Sequence, residues 1–355
     1  MQTDSLEFLT SLIAAPSPSG HEQPVARLWR DYAGRFADEV STDVLGNVTA
    51  VLNPRAPMKI MLAGHMDEIG FIIHHVGDDG LLYFSAVGGH DSTTPLGQRV
   101  WVHGRERVPG VVGRKAIHLL EPDELDRKPK MQDLWIDIGA GSREAAEAIV
   151  GLGDVVTYQQ GFQMLMGDRA AARAFDNKAG VFVIAEALRL LREDGGLDPQ
   201  VGVHAVATVQ EEIGSRGAQA AAFGVAPQSG LAVDMGHATD YPEARLARHG
   251  RLELGKGPGI DRGANTNPAV FALLVEAAQQ DGIPCQVHVT AGATPTDAQP
   301  MQINRAGMAT GLLNVPLRYM HTPCEVLCLS DLEATARLMA AYCRRITPDT
   351  DFTPR

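Results

Sequence analysis

Cysteine is scarce in this sequence of 355 residues, which contains only four and no CxxC pair. A disulfide framework belongs to small secreted domains, so a chain of this size with so few cysteines argues against one. We expect buried or free thiols in a reducing cytosol. The four residues are Cys285, Cys324, Cys328 and Cys343.

Basic residues are also few, since 31 Lys and Arg face 43 Asp and Glu and give a net charge of −12. No long basic run offsets this charge, which argues against a nucleic-acid partner and against binding to an anionic membrane. The first twenty residues lack the basic start and the apolar segment of a signal peptide. No stretch reaches the roughly 18 apolar residues of a membrane span. We therefore expect a soluble cytoplasmic protein.

The composition that remains is that of an ordinary globular protein, with 45% hydrophobic and 21% charged residues. The length allows one large domain or two modest ones, with enough buried surface for a core of their own.

The chain divides into two regions with different sequence patterns. Residues 71–164 contain short β-like runs separated by Gly and Asp, with one helical stretch, SREAAEAIV. Such spacing predicts an inserted β-rich domain, either a small barrel or a sandwich. The predicted strands of this region are FIIHHV, LLYFSAV, RVWVHG, GVVGRKAIHLL, LWIDIGA and DVVTYQQ.

The flanking residues 1–70 and 165–355 alternate between helical and strand patterns. Leu6, Leu9 and Ile13 recur at helical spacing, and NKAGVFVIAEALRLLRED carries a clear apolar face. VGVHAVATV is a continuous apolar run, as a buried parallel strand requires. We predict an α/β fold, with a mixed sheet flanked by helices in one discontinuous domain.

Acidic and histidine side chains follow several predicted strands of this domain. His65 follows KIMLAG, with Asp67 two residues later, and Asp234 closes GLAVDMG. His321 follows another extended apolar segment. Ligands in α/β sheets collect at the carboxyl ends of strands. Taken singly, each residue also has an ordinary explanation, as a surface histidine or a turn aspartate.

Two further motifs add carboxylates. Asp176 begins a predicted helix, where it could equally be a cap. Glu211 and Glu212 end the apolar run VGVHAVATV, and adjacent buried acids repel unless cations neutralise them. His237 and Asp240 follow Asp234 and could support the same site.

Together these residues predict a site for two divalent metal ions. Imidazole and carboxylate ligands suit Zn, Co or Mn and two-metal hydrolysis. Asp176 would bridge one ion on His65 and Asp234 to another on His321 and Glu212. Glu211 would act as general base, and Asp67 would hold the second ring nitrogen of His65.

The motifs HMDEIG, FDNKAG, EEIGSRG, VDMGHATD and RYMHTP, in this order, resemble those of the TET-type metallo-aminopeptidases. The resemblance covers nearly the whole chain. It implies a zinc-peptidase-like catalytic domain, an inserted dimerisation domain over 71–164, and dimers assembled into a tetrahedral dodecamer. It also implies two zinc or cobalt ions on the same five ligands, Glu211 as base, and short peptides with a free N-terminus as substrates.

One stretch departs from the family pattern. The family often has a GGTDA-like sequence followed by a histidine, whereas this chain keeps Thr296, Asp297 and Ala298 without that histidine.

Three other functions also fit some of the residues. They are a carboxypeptidase or amide deacylase on the same scaffold, a metal-stabilised scaffold protein, and a glycosidase, which needs two carboxylates and no metal.

Overall fold

The computed structural model describes residues 1–354, apart from the side chains of residues 123 and 124. The strands are β1 Glu39–Thr42, β2 Val48–Leu52, β3 Met58–His65, β4 Gly70–Val76, β5 Leu82–Val87, β6 Arg99–His103, β7 Arg107–Gly113, β8 Trp135–Asp137, β9 Val155–Tyr158, β10 Gln163–Met164, β11 Arg169–Ala172, β12 Val201–Thr208, β13 Ser229–His237, β14 Gly259–Gly263, β15 Gln286–Thr290, β16 Ala309–Leu317 and β17 Glu325–Cys328.

Ten α-helices of different lengths lie between these strands or flank them in the described part of the chain. They are α1 Thr3–Ala14, α2 Gln23–Ala33, α3 Pro122–Leu125, α4 Arg143–Glu147, α5 Phe175–Asp194, α6 Arg216–Val225, α7 Leu246–His249, α8 Pro268–Gln280, α9 Ala298–Gln302 and α10 Leu329–Arg345.

A mixed eight-stranded sheet forms the centre of the protein, in the order β1-β2-β12-β3-β13-β16-β14-β15. Its four middle strands, β12, β3, β13 and β16, are mutually parallel. All eight residues of β12 are buried, because a parallel strand in this position is covered on both faces. The predicted α/β fold with a mixed sheet is confirmed.

Alternate residues of β3 pack into different cores on the two faces of the sheet. Ile60 and Leu62 join the large core that α1, α2, α5, α8 and α10 help to form. Met61 and Ala63 join a smaller core with residues of α6 and α9. This alternation is the two-residue period of a strand, and it places helices on both faces.

The helix α5 lies unusually close to β3. A Cβ added at Gly64 would lie 2.9 Å from the carbonyl carbon of Gly180. Only a residue without a side chain allows this approach between helix and strand. The approach brings the start of α5 next to the end of β3, where His65 lies.

Residues between the two parts of the sheet domain form a closed six-stranded barrel, β4-β5-β8-β7-β6-β9. The barrel has a core of its own, which includes Phe71 and Phe84 with ring centroids 4.8 Å apart. The predicted β-rich barrel is thus confirmed. The division at residues 71 and 164 and the role in dimerisation stay predictions.

Local elements of the barrel region differ from the prediction. The strand predicted over GVVGRKAIHLL ends at Gly113, and Ile117–Leu119 is a 3-10 turn. Besides the expected helix α4, the short helix α3 and a second 3-10 turn are present. After Gly113 the side chains of Ile117 and Leu119 are 60% and 67% exposed, so they provide no buried face for a strand.

The four cysteines carry free thiols, as predicted. Among residues 1–354, no helix has the length and apolar content needed to cross a membrane.

Candidate metal centre

The carboxyl edge of the four parallel strands carries most of the predicted site residues. His65 is the last residue of β3 and pairs in register with Thr208, the last residue of β12. Glu211 and Glu212 lie in the turn that follows β12. Because parallel strands end at the same edge, these side chains meet although the sequence separates them.

The two other strands complete the edge. Asp234 lies in β13, which pairs with β16, and His321 lies in a turn after β16. Asp176 comes from the start of α5, where its backbone angles are not helical (φ −79°, ψ 105°). The carboxylate of Asp176 is free to face both histidines.

The first cluster consists of His65, Asp176 and Asp234, all of them buried. The Nε2 atom of His65 lies 3.4 Å from Asp176 Oδ1 and 3.7 Å from Asp234 Oδ1. Glu211 Oε2 lies 3.8 Å from the same nitrogen.

The second cluster consists of His321, Glu212 and the same Asp176. The Nε2 atom of His321 lies 3.4 Å from Asp176 Oδ2 and 3.4 Å from Glu212 Oε1. Asp176 therefore gives one oxygen to each cluster.

These separations fit ligands around a cation. Donors about 2.0–2.2 Å from a tetrahedral ion are roughly 3.3–3.6 Å apart, which is longer than a good hydrogen bond. Glu212 Oε1 is also buried without a hydrogen-bond partner. A buried carboxylate oxygen without a donor is costly unless a cation is beside it. The donor set therefore fits divalent metal ions.

The carboxylates of the site repel one another. Burial raises the pKa of Glu211 to about 9, and Asp234 and Asp297 add to the effect while His65 opposes it. Burial likewise raises the pKa of Glu212 to about 7, with His321 opposing. Positive charge in the site would relieve this repulsion.

The two histidines respond in the opposite way. Burial alone would lower the pKa of His65, but Asp176 and Asp234 raise it well above the usual value. Burial would also lower the pKa of His321, which Asp176 and Glu212 raise to about 11. The same two imidazoles hold the pKa of Asp176 well below its usual range despite burial. The site therefore attracts protons or cations strongly.

Asp67 contacts both His65 and the turn that follows β12. The Nδ1–H of His65 donates to the main-chain oxygen of Asp67 at 3.1 Å, while the carboxylate lies 3.4 Å away. That carboxylate accepts the backbone N–H groups of Glu211 and Glu212 at 2.9 and 3.0 Å. It also accepts the Ser19 hydroxyl at 2.6 Å. Asp67 thus connects β3 to the turn after β12.

A family model described as M42 glutamyl aminopeptidase matches residues 46–338. The chain belongs to this family. Lysyl aminopeptidase of Pyrococcus furiosus is 37% identical over 355 residues, which cover 98% of this chain and 99% of that protein. The predicted resemblance is confirmed, and the chain is a peptidase and hydrolase of the M42 family.

Solved structures agree with this assignment. A TET aminopeptidase from a marine sediment archaeon of the Thaumarchaeota has a TM-score of 0.92 and 35% identity, covering 98% of this chain and 97% of the other. The TET1 peptidase of Pyrococcus horikoshii, which can assemble into a tetrahedron or a large octahedral shell, has a TM-score of 0.85 and 32% identity. That match covers 96% of this chain and 100% of the other.

The site of this M42 peptidase opens into a cleft of about 1580 Å³. Thr296 and His237 line the cleft, whereas Asp240 is ion-paired with Arg318 at 2.5 Å and belongs to neither candidate cluster. Asp297 is buried and accepts the Thr208 hydroxyl at 2.5 Å. Burial raises the pKa of Asp297 to about 7.

Two contacts near the site of this M42 peptidase are not predicted by the sequence. The loop after β5 brings the barrel to the site, since a Cβ added at Gly88 would lie 3.3 Å from Glu212 Oε2. A Cβ added at Gly89 would lie 3.4 Å from His321 Nδ1. The other contact is made by Glu325, whose carboxylate accepts the backbone N–H groups of Asp176 and His321. The HTPCEV motif places Glu325 near His321, but nothing in it indicates the bond to Asp176.

Proposed function

We propose that this M42 peptidase removes N-terminal residues from short peptides by means of two divalent cations and a glutamate base. The observation that carries the proposal is the placement of Asp176, whose two oxygens each lie 3.4 Å from a different histidine. The proposed ligands are His65, Asp176 and Asp234 for one cation and His321, Glu212 and Asp176 for the other.

Zinc or cobalt is the proposed metal, and manganese accepts the same ligands. Bound divalent cations polarise a scissile carbonyl and lower the pKa of water. The protein's contribution is to keep the donors at fixed separations in a cleft large enough for a peptide.

Glu211 is the proposed general base. Ser215 donates its hydroxyl to Glu211 Oε1 at 3.0 Å, which orients the carboxylate and leaves Oε2 facing His65. Oε2 would take a proton from water and pass it to the leaving amine. Burial raises the pKa of this carboxyl, and the positive charge of bound cations would lower that pKa again and so favour the ionised form that accepts a proton.

The first experiment removes and restores the metal. Chelation should abolish cleavage of aminoacyl anilides, and added Zn, Co or Mn should restore it. A panel of matched free and N-acetylated peptides tests the substrate class, and only those with a free N-terminus should be cleaved. Full activity after complete metal removal would contradict the metal chemistry, and equal cleavage of acetylated peptides would contradict the aminopeptidase activity.

The quaternary structure is proposed from the same comparisons. We propose that residues 71–164 form a dimerisation domain inserted into a catalytic domain of residues 1–70 and 165–355, in a cytoplasmic protein. Dimers would assemble into a tetrahedral dodecamer. The ability of the Pyrococcus horikoshii relative to form a tetrahedron supports this proposal. Light scattering should give the mass of twelve subunits, and a monomer at micromolar concentration would contradict it.

A further inference from the structure

The carboxylate of Glu325 binds the main chain at two proposed ligands at once. Its Oε2 accepts the backbone N–H of Asp176 at 3.0 Å, and its Oε1 accepts that of His321 at 3.0 Å. The residue is 2% exposed and lies at the first position of β17. A single side chain therefore connects the start of α5 to the turn that carries His321.

We infer that Glu325 is a positioning residue that sets the distance between Asp176 and His321 and thereby selectively maintains the His321 cation position. The inference rests on the proposed function, since it presupposes two cation positions. Glu325 itself is not a proposed metal ligand.

The turn around His321 needs such support. His321 has a φ of +59° and Tyr319 a φ of +63°, both in the left-handed region that ordinary residues rarely occupy. Residues keep this conformation only where surrounding contacts enforce it. The hydrogen bond from the His321 backbone N–H to Glu325 is such a contact. Burial gives less support, since the His321 side chain is 33% exposed.

The His65 position does not depend on Glu325 in the same way. His65 ends a buried strand, and its ring is held by the main chain of Asp67. Asp234 lies within β13. Loss of Glu325 should therefore remove a support from two ligands of the His321 cluster, His321 and Asp176, but from Asp176 alone in the other cluster.

The test is a Co²⁺ titration of metal-free protein, followed by absorbance and by equilibrium dialysis. Wild type should bind two ions per chain. Glu325→Gln keeps the shape but offers only one acceptor oxygen to two N–H donors. It should weaken one binding step about 10–100-fold, the range typical for groups that orient metal ligands. The other step should stay within threefold of wild type, and His321→Ala should lose the same step.

Asp331→Asn is a matched control. Asp331 is also a buried carboxylate that accepts two backbone N–H groups, those of Gly255 and Gly257 at 2.7 and 2.8 Å. The control loses comparable bonds away from the site, so both Co²⁺ steps should stay as in wild type. If Glu325→Gln destabilises folding as much as this control, the difference in Co²⁺ binding still isolates the positioning role.

The possible outcomes separate the two proposals. Unchanged binding of both ions by Glu325→Gln, or equal weakening of both, would overturn the positioning role while leaving the two-cation site intact. Binding of a single ion by wild type would instead overturn the two-cation proposal itself, and this inference with it.

Discussion

The two proposed cation positions share Asp176 but are built in different ways. The His65 position lies at the ends of buried strands, and the His65 side chain is 2% exposed. The His321 position is built from turns, and the His321 side chain is 33% exposed. At a sheet edge, the register of the strands fixes where side chains lie. The turns that carry Glu212 and His321 are held instead by hydrogen bonds from their backbone N–H groups to Asp67 and Glu325.

Replacement of the base should have the largest effect on turnover, because it removes the proposed proton acceptor. Of the two adjacent glutamates, only Glu212 is a proposed metal ligand. We expect Glu211→Gln to lower kcat by about 10²–10⁴-fold, the usual contribution of a general base. Both metal ions should remain bound, because Glu211 is not a proposed ligand. Steady-state kinetics and metal analysis on the same sample test this. Near-normal turnover with full metal content would show that Glu211 is not the base.

The support of the His65 position can be tested at Gly64. We expect Gly64→Ala to lower the free energy of unfolding by about 1–3 kcal/mol, the typical cost of overpacking a core. The added Cβ would lie 2.9 Å from Gly180 and push α5 away from β3. Urea unfolding measures the change.

Gly224→Ala provides the control for this substitution. Gly224 lies in α6 with no atom within 4 Å of an added Cβ. Alanine there should leave stability unchanged or raise it by up to about 1 kcal/mol, because alanine favours helices. Equal effects at both positions would mean that the close approach of α5 to β3 does not constrain the fold.

Metal removal should distinguish the two positions by rate. A chelator should remove the cation beside His321 about tenfold faster than the cation beside His65, since exposed, turn-borne ligands open more readily. The absorbance of the Co²⁺ form during chelation should therefore fall in two phases. His321→Ala should abolish the fast phase only. A single phase in wild type would contradict the proposed asymmetry.

The smallest expected effect is that of Gly89→Ala. An added Cβ would make an ordinary contact of 3.4 Å with His321 Nδ1, so kcat/KM should change threefold or less. Gly88→Ala should cost more, since Gly88 has a φ of +79° and its added Cβ would lie 2.7 Å from Ile69. A larger loss at Gly89 than at Gly88 would show that the barrel loop contacts substrate rather than supporting the site.

The sequence predicted those parts of the site that depend on strands. His65 and Asp234 follow or end apolar runs, and the common edge of parallel strands explains why they meet. Glu325 could not be predicted, because its partner Asp176 lies 149 residues away and contributes a backbone amide, which any residue has. The sequence also does not predict the orientation of the Asp176 side chain, because a position at the start of a helix equally suggests a helix cap. In the barrel region, the β-like run GVVGRKAIHLL predicted a strand that continues past Gly113, where apolar side chains such as Ile117 are exposed.

The pairing of β13 with β16 limits where insertions and deletions can occur in this chain. Asp234 lies opposite Asn314, and the strand alternates its side chains between two faces. Deleting a single residue from the first part of β13 would turn the Asp234 carboxylate to the opposite face of the sheet. Insertions in the exposed stretch around Ile117 would leave that alternation untouched. Length variation is therefore tolerated in the barrel loops and forbidden inside the central strands.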